Sequence, residues 1–272
     1  MTSATAHDYA WIRSSPSFRY ALETGYTLTL VRGVAPEEAL RVMEAEPQGT
    51  CVGVDALIGQ QEELFDATDY CCESFIAGAF TVPGEGGDWT LVLHFDGGAG
   101  MQPRFLEALS ADGHAVVHSS NGGKPIHLFH WYEGGRLQTS FEWPTVREGN
   151  TPDALNSLMC EVGFDLSDDE GNTGVRIDTK AAVLALAERL TGVRVTEELL
   201  QGAEYRLGHV PEEPAEEWTG IVIDITDAHG RRLYKKITRE EVEAGMERAR
   251  AEAAQPIAIH KSPLLAPDPA ED

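Results

Sequence analysis

Three histidines and a glycine run are the residues whose types and spacing point most directly to chemistry. His94, His118 and His130 fall on three separate β-type runs. A strand sends alternate side chains to opposite faces, so imidazoles from neighbouring strands can meet and hold a metal or polarise a substrate. The competing reading is that histidines on the wet face of a sheet simply cover it. His127 and His130 are three apart, on opposite faces of a strand, and do not chelate together. Directly after His94 and Phe95, the run Asp96-Gly97-Gly98-Ala99-Gly100 precedes a helix start at Pro103. Backbone N–H groups at such a turn can face an anion. Asp96, Gly98 and Gly100, with His94, His118 and His130, form the candidate anion- or ligand-binding set. Pro103 stands where G-x-G-x-x-G requires its last glycine, so a flexible turn is the alternative.

Other motifs stop short. Gly122-Gly123-Lys124-Pro125 lacks the earlier glycine of a phosphate loop, and Pro125 replaces the hydroxyl that would hold magnesium. The acidic stretch from Asp165 has Glu170 where a calcium loop needs glycine and Arg176 where it needs glutamate. Cys71 and Cys72 have no sequential partner for thiolate chemistry. The residues imply no cofactor and no resident metal. One charge contrast stands out: Arg231, Arg232, Lys235, Lys236 and Arg239 lie within nine residues of an acidic chain. They fit either a cation-guarded edge strand or a docking surface, for an acidic partner or for this protein's own acidic domain.

That contrast matters because the chain of 272 residues carries 45 acidic and 21 basic residues, a formal net charge of −24. The acids run through the whole sequence. Such a field repels nucleic acid and anionic lipid and favours basic partners. Hydrophobic residues make up 42% of the chain, enough for a core. No stretch is long and apolar enough for a membrane helix. The N-terminus has no basic start and apolar run of a secretory signal. With four cysteines and no C-x-x-C pair, reduced thiols and a cytoplasmic location are expected.

The elements that position these residues follow from periodicity. Strands are expected at 25–33, 74–82, 88–96, 114–120, 126–133 and 136–143, with Gly134-Gly135 as a two-residue hairpin turn. Helices are expected at 6–13, 36–43, 103–111, 152–161, 179–190 and from Thr196. Residues 51–58 fit either element. Bulky residues on both faces of 126–133 point to a strand covered on both sides. A second hairpin, 221–226 with 231–237, leads into a helix capped by Thr238 and Glu241. The fold class is α+β: a mainly antiparallel sheet of five to six strands with helices on one side, plus a small β-hairpin–helix unit. The expected boundaries are a domain at 1–208, an acidic proline-containing linker at 209–217, the accessory unit at 218–254, and a disordered tail at 255–272.

Several blocks carry a family resemblance. They are Tyr9-Ala10-Trp11-Ile12, Gly25-Tyr26-Thr27-Leu28-Thr29-Leu30-Val31-Arg32-Gly33, Pro36-Glu37-Glu38-Ala39-Leu40, Asp88-Trp89-Thr90-Leu91-Val92-Leu93 and Ala187-Glu188-Arg189-Leu190-Thr191-Gly192-Val193. In this order and spacing they resemble an uncharacterised actinobacterial domain family, over about residues 8–205. The resemblance implies a domain outline and a host lineage, and no catalytic residues. The turn after Phe95 is shorter than in that family, and the unit after Trp218 lies outside the pattern.

Three functions remain in play. The first is a non-enzymatic cytoplasmic interaction protein, immunity-like or regulatory, docking a protein partner. The second is an enzyme with its site near residues 96–100 and the sheet histidines. The third is a small-ligand module using the aromatic strands, which needs a cavity of ~300 Å³ or more.

Overall fold

The computed structural model describes residues 3–68, 74–95, 102–122, 127–166, 178–212, 220–226, 232–242, 244–245 and 248. The chain divides into two compact units, Met1–Glu213 and Pro214–Asp272.

The first unit opens with a 3-10 helix, Ala6–Arg13, and α1, Pro16–Thr24. Then follow β1 (Tyr26–Arg32), α2 (Pro36–Val42), β2 (Glu46–Val52), α3 (Val54–Ala67), β3 (Phe75–Gly84) and β4 (Gly87–Phe95). Next come α4 (Pro103–Leu109), β5 (His114–Ser120), β6 (His127–Glu133), β7 (Arg136–Trp143) and β8 (Val146–Glu148). The unit closes with α5 (Asn156–Val162), α6 (Thr179–Thr191), α7 (Glu197–Gly202) and β9 (Glu204–Val210).

These strands form one antiparallel sheet of nine, in the order β2-β9-β3-β4-β1-β5-β6-β7-β8. The sheet is therefore larger than the expected five to six strands, because β2, β8 and β9 also belong to it. Since β9 runs through Val210, His209 and Val210 pair with β3 instead of starting a linker.

Alternation along the strands sorts the core into two layers. Tyr26, Leu28, Leu91, Leu93, Phe95, Val116 and Phe129 face one cluster, shared with α6. Val31, Val92, Val117 and Tyr132 face a second, shared with α2 and α4. Helices thus flank both faces rather than one. Interior strands are buried on both sides, and every residue from Trp89 to Phe95 is inaccessible.

Helix α6 anchors the larger layer. Asp178 caps it by accepting from the Lys180 and Ala181 amides. Gly192 ends it in the left-handed conformation, at φ 69°. Residues 180–188 are all buried. The buried Glu188 carboxylate accepts from the Tyr9 hydroxyl at 2.9 Å, tying α6 to the 3-10 helix.

The second unit contains β10 (Gly220–Thr226) paired antiparallel with β11 (Arg232–Thr238). At the helical stretch that follows, the Thr238 amide donates to Glu241 at 2.9 Å, and the Glu241 amide donates back to the Thr238 hydroxyl at 3.4 Å.

Candidate functional site

The sheet separates the three histidines. His118 sits on β5 opposite Leu28 and Phe129, facing the α6 layer. Its Nδ1 lies 3.1 Å from the hydroxyl of fully buried Tyr26, and the two rings meet edge to face. Burial pushes the Tyr26 phenol far above its usual range. His94 sits on β4 beside Thr27 and Ala77, facing the opposite layer. It stacks on Phe75 with ring centroids 4.2 Å apart.

His130 shares the His94 face but belongs to β6, and β1 and β5 intervene. Three strand spacings separate the two by ~14 Å. One metal ion cannot bridge that distance with ~2 Å bonds. No group of three His, Cys, Asp or Glu among the described residues is placed to hold a metal. Asp96, Gly98 and Gly100 lie outside the described residues, as do Cys71, Cys72, Arg231, the loop from Asp168 to Arg176 and the tail.

His130 lines a groove instead. In register, His130 on β6 stands beside Ser140 on β7, and Ser140 stands beside Glu148 on β8. These three, with Glu142, Trp143 and Val146, surround a groove of about 360 Å³. The hydrophobic cluster shared with α2 and α4 includes Tyr132 and Leu137 and none of the groove residues. The His130 Nδ1 is buried and accepts no hydrogen bond from a described residue. Burial lowers the His130 pKa to about 4, so its ring is neutral at pH 7. Ser140 and Glu148 were absent from the sequence-based set: Glu148 because a three-residue strand such as β8 leaves no periodic signal, and Ser140 because the strand order that brings it between His130 and Glu148 is not written in the local pattern.

The basic segment forms a different kind of surface. β11 carries Arg232, Lys235 and Lys236, and every residue from Arg232 to Lys236 is exposed. Arg232 is held by Asp224 of β10 through two bonds of 2.6 Å. Lys235 and Lys236 form no ion pair with a described residue. Register puts Ile223, Ile225, Leu233, Lys235 and Ile237 on one face and Val222, Asp224, Tyr234 and Lys236 on the other. Exposed apolar groups appear on both: Ile225 is 58% and Leu233 57% accessible, Val222 55% and Tyr234 60%.

Among the described residues, no helix is long and apolar enough to cross a membrane. No curated protein and no solved structure matches the chain. One family model does, over residues 2–215, and its limit falls close to the division between the two units. The chain thus belongs to a family of unknown function, DUF6461, with the hairpin unit lying beyond the matched region.

Proposed function

We propose that this protein is a docking protein, in which the second unit presents a surface to a protein partner. The observation that carries this reading is the β10–β11 hairpin. An isolated two-stranded hairpin is marginal in water, because it has too little apolar area to bury. Here Val222, Ile225, Leu233 and Tyr234 remain more than half exposed. A partner that covers them supplies the missing burial, at ~25 cal/mol per Å² of apolar surface removed from water. The setting proposed is the cytoplasm of an actinobacterium, on the cysteine usage and the family resemblance.

The test is affinity capture with the full chain, followed by quantification of each captured protein. The expected result is one specific partner, lost with I225S/L233S and retained with V52S, which alters an exposed apolar residue of the first unit. Equal capture by all three proteins contradicts the proposal.

A second reading has its own observation. The groove of about 360 Å³ beside His130 falls within the ~300–1,000 Å³ of small-ligand sites. A thermal-shift screen against the wild type and Ser140→Trp tests it. Stabilising compounds that lose their effect in the tryptophan variant support ligand binding, and their absence removes it. The enzyme reading has less support, because its histidines lie on two faces of the sheet.

A further inference from the structure

We propose that β11 receives, along its open edge, an extended partner segment in which acidic and aliphatic residues alternate. This rests on the docking reading above and adds the chemistry of the partner. Among the described strands, β11 pairs with β10 alone, so no described strand occupies its other edge. Unpaired N–H and C=O groups on such an edge are a template for another strand.

The strand that β11 already holds sets Ile223 and Val222 opposite Lys235 and Lys236 and places one acid on Arg232, so the two lysines have no acid from β10. β10 reads Gly220-Ile221-Val222-Ile223-Asp224-Ile225-Thr226, an aliphatic run with one acid. In the pairing, Ile225 stands opposite Leu233, and Asp224 takes the Arg232 guanidinium. On the open side, alternation sets the pattern. Arg232, Tyr234 and Lys236 share one face, while Leu233, Lys235 and Ile237 share the other. An incoming strand with acids on the first face meets Lys236, while Arg232 on that face is already held by Asp224. Its aliphatic residues then extend the face of Leu233 and Ile237, where the Lys235 stem adds apolar cover.

Cations on an edge ordinarily prevent pairing, and they do so here against basic strands and against a second β11. Like charges placed side by side are unfavourable, whereas opposite charges across a strand pair are favourable. The same cations that guard the edge thereby select an acidic segment.

The experiment is fluorescence anisotropy with the full chain and a labelled peptide of alternating glutamate and valine. A peptide of alternating lysine and valine is the comparison. The expected result is saturable binding of the glutamate peptide only. Lys236→Glu should weaken it roughly fivefold or more, with Lys235→Glu affecting it less. Lys236→Glu should also admit the lysine peptide. The proposal is overturned if the wild type does not bind the glutamate peptide, if it binds both peptides equally, or if Lys236→Glu changes nothing. It is also overturned if the chain dimerises through this strand, detected as a concentration-dependent mass that Lys236→Glu shifts. Loss of partner capture in I225S/L233S alongside any of these results leaves the docking reading standing and removes only the strand-addition mode.

Discussion

Strands β4 and β11 are both antiparallel, both regular and close in length, yet their surroundings are opposite. From Trp89 to Phe95 every β4 side chain is buried, between α6 on one face and α2 and α4 on the other. From Arg232 to Lys236 every β11 side chain is exposed. β4 is hydrogen-bonded on both edges, to β3 and β1, and β11 among the described strands on one, to β10, but antiparallel pairing of either kind does not by itself decide whether a strand's side chains are buried. Coverage does. The sheet of the first unit meets its own needs for burial, while the hairpin leaves its apolar residues for something else to cover.

The comparison breaks most sharply under core truncation. Phe129→Ala removes a wholly buried ring that stacks on Phe141 at 5.0 Å. It should cost about 3–5 kcal/mol in urea unfolding, whereas Leu233→Ala should stay within about 0.5 kcal/mol. Similar costs for the two would erase the distinction.

Acid provides the next test. The folded-state pKa of His130 is about 4, below its ordinary value of 6.5. Between these values the unfolded chain binds a proton that the folded chain does not, so stability falls as pH falls. The stabilisation is complete above pH 6.5 and is lost on approach to pH 4, by about 3 kcal/mol at most. His130→Phe should lack this part of the pH dependence. Urea midpoints at neutral and acidic pH measure it, and parallel pH profiles for the two proteins would contradict it.

Smaller still is the effect of Tyr9→Phe. It leaves the buried Glu188 carboxylate without the hydroxyl at 2.9 Å and should cost about 1–3 kcal/mol. The smallest expected effect sharpens the comparison from the other side. I225S/L233S should leave the urea midpoint of the first unit unchanged to within about 0.5 kcal/mol.

Much of the sheet was legible in the sequence, and particular residues show why some was not. Residues 136–143 alternate cleanly, and both they and 114–120 are strands over just those residues. Gly134 and Gly135 both take positive φ, 56° and 71°, as a two-residue hairpin turn requires. In contrast, β2 contains Pro47, has Gly49 at φ 84° and is exposed along nearly all its length. An edge strand of that kind needs no apolar alternation, so none is present to read. In β9 the pattern is broken by Gly208, where an added Cβ would come within 2.7 Å of the Ala45 Cβ. The glycine is there for close packing and conceals the strand.

Helix α5 shows a misdirected signal. Thr151-Pro152 looks like an N-cap and first turn, but the Thr151 hydroxyl donates to the Gln138 carbonyl at 3.3 Å and the helix begins at Asn156. The candidate site fared differently from the fold. Alternation within each strand was readable, but which face each histidine shares with its neighbours depends on strand order, and a local pattern does not encode that order. The basic segment needed no such order. Its composition alone marked it, and its exposure is what the structure adds.

Hydrogen exchange on the full chain, free and with the glutamate–valine peptide, tests the central claim most directly. Amides of β4 should exchange slowly in both states. Amides of β10 and β11 should exchange fast in the free chain and become protected when the peptide binds. Amides of β11 as protected as those of β4 in the free chain, or unaffected by the peptide, would contradict the account.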